Sequence, residues 1–195
     1  MVQSRLYKAI SRFNGASGNI DNLPTQFEKI AKAAFYSGCF VVNKGEECEY
    51  RILIRSIEFY YHEDEGIQDP RKLLKGKENF FYEVGALCPH EFGVDILFDD
   101  VEHHSYHASF LIREFEVIEQ GRTKIETHPR FLWDYLFGGA NMLRDGQFRI
   151  KWHDDDPYSD SYLQKSIQAP MKRIFSTKTK EIGDERLWRY TASVI

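Results

Sequence analysis

The sequence predicts an α+β fold: a single domain with a curved, mostly antiparallel β-sheet flanked by helices. Three observations lead there. Strand-like segments crowd residues 39–118, helical periodicity appears on either side of them, and 42% of the 195 residues are hydrophobic, enough for one substantial core. The domain is expected to span 1–195. Residues 1–24 are expected as a loosely packed N-terminal extension, because NGASGNIDNLP (14–24) is rich in turn formers.

The first clear helix is expected near Thr25, where Glu28 three positions on makes a capping-box pattern after Pro24. Phe27, Ile30, Ala31, Ala34 and Phe35 give it one apolar face, and Gly38 ends it. Cys39–Asn43 and Tyr50–Tyr61 read as strands, the second being the longest of the chain. After a charged loop at 62–79, Phe80–Cys88, Gly93–Phe98 and His107–Ile118 read as three more. Pro129–Phe137 looks helical, with Pro129 near its first turn and Gly138 and Gly139 at its end; Trp133 is expected in the core. WHDDDP (152–157) reads as a solvated turn, and RLWRYTASVI (186–195) as a closing strand.

Composition narrows the function classes. No apolar run approaches the roughly 20 residues that span a bilayer, and the N-terminus lacks the apolar stretch of a secretory signal. The three cysteines, Cys39, Cys48 and Cys88, form no CxxC pair, so neither a disulfide framework nor a zinc knuckle is indicated, and a cytoplasmic location is expected. A net charge of -4 argues against nonspecific coating of nucleic acid. The charge is unevenly spread: residues 1–45 hold six basic and two acidic side chains, 46–119 seven and eighteen, and Met171–Lys180 four basic and none acidic. Any nucleic-acid surface would therefore be built from the two ends of the chain.

Charges interrupt two of the strands. A period of two puts Tyr50, Ile52, Ile54, Ser56, Glu58 and Tyr60 on one face, so Glu58 extends from a half-apolar face and is suited to general-base work. Likewise His107, Ser109, Leu111, Arg113, Phe115 and Val117 share a face that Arg113 interrupts, and Asp95 lies between Val94 and Ile96. A competing pattern is the loop Asp99, Asp100, Glu102, His103, His104 and His107. There His103 and His107 have the i, i+4 spacing of a metal-binding pair, the mark of a metal-dependent hydrolase, against the plainer reading of a solvated polar loop.

Order and spacing carry a further likeness. RILIRSIEFY, Arg51–Tyr60, is followed by the acidic YHEDEGIQDP, then by FFYEVGALC, GVDILF, FLIREFEVI (Phe110–Ile118) and WRYTASV (Trp188–Val194). This series resembles the alkyladenine (3-methyladenine) DNA glycosylase family. That family has a strand reading roughly R-I-V-E-T-E-A-Y, an acidic loop, a hairpin, a strand ending L-I-R and a closing W-R-F-Y-V. The resemblance implies a base-excision repair hydrolase that flips a damaged purine out of double-stranded DNA and needs no metal or other cofactor. It assigns water activation to Glu58, assisted by Arg113. It gives base binding to Tyr60, with Tyr82 or Phe81 as a further ring, and to Asp95, which stands where the family has an asparagine. Lys172, Arg173, Lys178 and Lys180 are the expected contacts to the DNA backbone. The sequence departs from the family at Asp69–Pro70, where the family has a pocket histidine, and in a shorter hairpin without an aromatic residue over Gly85–Pro89. The alternative is a non-catalytic nucleic-acid or protein binding module on the same scaffold.

Overall fold

The computed structural model describes residues 3–16, 19–45, 49–63, 65–69, 80–139, 148–154, 165–173 and 186–194. It is α+β, with a curled antiparallel sheet and few helices. Among the described residues, no helix is long and apolar enough to cross a membrane.

The helices are α1 (Arg5–Ile10), α2 (Leu23–Tyr36) and α3 (Phe131–Phe137). The strands are β1 (Gly38–Lys44), β2 (Glu49–His62), β3 (Leu87–His90), β4 (Gly93–Leu97), β5 (His107–Glu119), β6 (Arg122–Glu126), β7 (Phe148–Asp154), β8 (Lys165–Ile167) and β9 (Arg189–Val194). The main path runs β3-β4-β5-β2-β1-β7. The two long strands, β2 and β5, form its centre, and each changes outer partner along its length. On β2, β1 pairs with 49–52 and β9 with 56–58; on β5, β4 pairs with 109–111 and β6 with 115–119.

The changeover coincides with a double β-bulge. Between β2 and β5 the register steps Ile54↔Phe115, Ser56↔Glu114, Ile57↔Ile112, so Arg55 is extra on one strand and Arg113 on the other. Each extra residue turns its strand over by one position. Ile52 and Ile54 therefore share the main core with Ile57, Phe59 and Tyr61, and Phe115 and Val117 share it with Phe110 and Ile112. A single period of two along either strand is thus incorrect: Glu58 and Tyr60 face away from Ile52 and Ile54, and Arg113 away from Phe115 and Val117.

The core is strongly aromatic. Phe13 stacks on Phe27 (5.8 Å) and Phe27 on Phe59 (4.2 Å), while Trp188, Tyr190, Phe98 and Phe110 meet this column edge-on or tilted. Leu6, Ile10, Phe13 and Ala16 are buried in the same core, so residues 3–16 are packed rather than a loose extension. α2 starts two residues before Thr25, after a single 3-10 turn at Ile20–Asn22. Pro24 lies in its first turn, no side chain caps it, and Glu28 pairs with Lys32 instead of closing a capping box.

Other elements differ from expectation for local reasons. Residues 80–86 are loop, because Gly85 adopts φ +88° and the ladder with β4 begins only at Leu87. Gly93 closes the β3–β4 turn with φ +148°, and a side chain there would meet Leu111 at 2.9 Å and Pro129 at 3.1 Å. Trp133 is exposed, while Leu132 and Leu136 turn α3 inward. Asp154 ends strand β7, where its carboxylate accepts from Trp152 Nε1 (3.0 Å) and Arg5 N (2.7 Å); Asp155 and Asp156 lie outside the described residues.

The aromatic column yields the first prediction. Phe59→Ala opens a cavity between Phe27 and Phe110 and is expected to cost about 3–5 kcal/mol in urea unfolding, whereas Phe80→Ala at an exposed ring changes stability by under about 0.5 kcal/mol.

Candidate functional site: a buried ionic face

Beyond the bulge, the sheet face opposite the aromatic core carries polar groups. Antiparallel register sets Asp95, Leu111, Glu58 and Arg189 in one row across β4, β5, β2 and β9. Tyr60 lies across from Ser109 on the same face.

Glu58 is fully buried. The Arg113 guanidinium grips it with two bonds, Nε to Oε2 at 3.1 Å and Nη2 to Oε1 at 2.9 Å, and the Tyr60 hydroxyl donates to Oε1 at 2.7 Å. Arg113 Nη2 also reaches the Tyr60 oxygen at 3.4 Å. Three residues expected to cooperate therefore converge, because the bulge swings Arg113 off its regular position toward β2. The second bulged arginine behaves reciprocally, with Arg55 Nη1 lying 3.4 Å from Glu116 of β5. Each strand thus sends its extra arginine to a glutamate of the other.

The electrostatics follow from burial. Loss of water, and then the neighbouring charge of Glu58, push the Tyr60 phenol well above its ordinary value, so it remains a neutral donor. Burial alone would lower the pKa of Arg113; Glu58 and Tyr60 outweigh it and push it up.

A second buried pair closes over this group. Arg173, 2% exposed, donates to both oxygens of Asp69 (2.8 and 3.1 Å) and to Phe59 O (3.3 Å). Its guanidinium also sits against the rings of Tyr60 (5.1 Å) and Trp188 (5.3 Å). Arg173 is therefore an internal strut, not a contact to a DNA backbone, and Asp69 is its counter-ion. Asp95, 1% exposed, accepts from His90 Nε2 and Ser109 Oγ, each at 3.0 Å. Phe92 N approaches His90 Nδ1 at 3.3 Å, which fixes the proton of that imidazole on the nitrogen facing Asp95.

The remaining expected residues lie elsewhere. Tyr82 is half-buried and its N–H donates to Asp99; no hydrogen bond or ring contact among the described residues joins it to Glu58, Tyr60 or Arg113. Phe81 stacks with His104 (4.3 Å) and His107 (4.2 Å), so its ring is already engaged within the chain. Lys172 is exposed, and Lys178 and Lys180 lie outside the described residues. The 99–106 loop is a hydrogen-bonded turn. Asp100 accepts from His103 N, Ser105 N and Ser105 Oγ; burial opposes its charge, but these bonds hold its pKa down at about 2. His103 points largely to solvent and His107 stacks on Phe81, and among the described residues no three His, Cys, Asp or Glu side chains gather as a metal site.

Two participants carried no signal in the sequence: Arg189 comes from a distant segment, and Ser109 is an ordinary strand residue until register sets it near Asp95. Arg173 was singled out, but as a surface cation. Set against family models, curated proteins and solved structures, the chain matches none.

Two predictions follow from the geometry. Arg113→Met leaves Glu58 buried without its counter-ion and is expected to cost about 3–5 kcal/mol. Adding Glu58→Gln should recover part of that loss, a coupling read from a double-mutant cycle in urea. Tyr60 titrates at higher pH in the folded protein than when unfolded. Its contribution is therefore complete below pH 10 and declines as pH rises above the unfolded value. Tyr60→Phe should flatten the loss of stability measured between about pH 9 and about pH 11.

Proposed function

We propose that this chain is a DNA glycosylase-like hydrolase that releases a damaged purine, with Glu58 as the acid that activates water. The observation that supports it is the meeting of Glu58, Tyr60 and Arg113 at a double bulge, on the polar face of an otherwise apolar sheet. Bulges often re-aim side chains next to active sites.

The chemistry is a single displacement. As the bond from sugar C1′ to the purine nitrogen breaks, its electron pair leaves with the base, and an oxocarbenium-like centre develops. Water adds to C1′ while Glu58 takes its proton, giving an abasic sugar; a cationic alkylated purine leaves neutral, a neutral purine takes up a proton from water, and Glu58 returns its own to solvent. Arg113 balances the charge of Glu58 before the reaction and orients its carboxylate. Tyr60 contributes its hydroxyl to the same carboxylate. Its ring is 7% exposed and has Arg173 against it, so stacking on an extruded base requires the segment bearing Arg173 to open.

The complete burial of Glu58 and its two-point grip by Arg113 favour a second reading, a binding module for nucleic acid or protein in which this network is purely structural.

The deciding measurement uses purified protein and duplex oligonucleotides, each with one alkylated or deaminated purine, followed by alkaline cleavage at abasic sites. Strand scission is expected with the wild type, and a rate lower by about 10²–10⁴-fold in a folded Glu58→Gln variant. If the wild type leaves every lesion intact while Glu58→Gln changes only the melting temperature, the binding module replaces the hydrolase.

A further inference from the structure

The ionic face contains an arginine that its acids do not use. Arg189 is the direct register partner of Glu58, and residues directly opposite in an antiparallel pair project to the same side. Glu58 is held by Arg113 and Asp69 by Arg173. Arg189 pairs with no carboxylate among the described residues. Its Nη2 donates to the Sδ of Met171 at 3.4 Å, and its Nε is buried with no hydrogen-bond partner.

This is an unusual state for a guanidinium. A buried N–H without an acceptor is costly, and a thioether is a weak acceptor that brings no negative charge. Met171 is fixed beside Arg189 by two backbone bonds, Met171 N to Arg189 O and Arg189 N to Met171 O, so the contact is built into the pairing. Arg189 is itself only half-buried, which leaves a route for a ligand. The carboxylate next to it does not repel an incoming anion as a bare charge would, because Arg113 already neutralises it. The position is thus a cationic fork held in place and not neutralised.

We propose that Arg189 is an anion-binding residue that receives a phosphate group of the ligand, one strand away from Glu58. The choice of phosphate rests on the hydrolase reading above; the need for an anion rests on Arg189 alone. A guanidinium fork suits phosphate oxygens, offering two parallel bonds where an ammonium offers a point charge. The basic side chain facing the site is then Arg189 of the closing strand, not the buried Arg173.

Arginine Nε–H resonances of the full chain, with Arg189 assigned through Arg189→Lys, provide the test. Sodium phosphate, adenosine 5′-monophosphate and a short undamaged DNA duplex are titrated separately against sodium chloride of equal ionic strength. A saturable shift of the Arg189 resonance with phosphate or the monophosphate supports a site for a free or terminal phosphate; a shift with the duplex alone supports one for a phosphodiester. Read on the backbone amide of Met171, which is bonded to residue 189 through its main chain, phosphate affinity should fall by about tenfold in Arg189→Lys and vanish in Arg189→Met. No response to any of the three, or one that sodium chloride reproduces, overturns the proposal, and the wild-type titration decides this even if Arg189→Met does not fold. Phosphate binding without base release sinks the hydrolase reading and leaves the anion site standing. Base release without an Arg189 response sinks the anion site alone.

Discussion

The double bulge at Arg55 and Arg113 is the constraint on which the rest of the structure depends. One extra residue on one strand would shift the register of everything beyond it. Here an extra residue on each of the two central strands restores the register, since Ile57 faces Ile112 in line with the earlier pairing of Ile54 and Phe115, but inverts both strands. Apolar side chains that lie at even positions of β2 before the bulge lie at odd positions after it, and those of β5 change parity at the same level. The core stays continuous, and Glu58, Arg113 and Glu116 emerge on the other face. The neighbours change there too, β1 giving way to β9 and β6 to β4. The two arginines that create the irregularity also stabilise it, each by an ion pair to the opposite strand.

The energetic character of the two faces differs accordingly. The aromatic face is held by area and ring geometry, which tolerate small displacements. The ionic face has narrow tolerance: a carboxylate taken out of water is compensated only by well-placed partners, and removing one leaves the other buried and uncompensated. Glu58–Arg113 and Asp69–Arg173 share Tyr60 as common ground, one through its hydroxyl and the other through its ring. Movement of either pair is therefore felt by the other. The segment carrying Arg173 and the stretch containing Asp69 bear on the position of the Glu58 carboxylate without touching it.

Much of the fold was legible because strands with many β-branched and aromatic residues announce themselves. Cys39–Asn43, Tyr50–Tyr61, Gly93–Phe98 and His107–Ile118 all fall on observed strands within one or two residues. Strands β6 and β8 were not legible, because β6 is almost wholly exposed and β8 has three residues, whereas β7 does alternate apolar and polar residues from Phe148 to His153 and was masked by the turn-like acidic run that follows it. The site was legible in part. Glu58 and Arg113 stood out as charges in apolar strands, and they do meet. The reason first apparent, a shared face with Ile52 and Ile54, was wrong, since compensating bulges carry no marker in a sequence read one strand at a time. Arg173 looked like a surface cation because its neighbours in sequence are basic, whereas its burial is set by Asp69, more than 100 residues away.

The same reasoning bears on how a buried carboxylate can serve chemistry. Glu58 has no solvent exposure, and its environment contains both a guanidinium that stabilises its charge and a phenol that remains protonated. Such a group is preorganised, its orientation paid for at folding. Its use requires access, and the route of access is constrained by what surrounds it: the apolar core lies behind the sheet, Leu111 lies between it and Asp95, and the Tyr60 side is closed by Arg173. The remaining lateral neighbour in the row is Arg189, whose Nη2 donates to a thioether, the Sδ of Met171. Met171, which covers this edge, lies two residues from Arg173, so displacing that segment would uncover Arg189 and the Tyr60 ring together and would cost the Asp69–Arg173 pair.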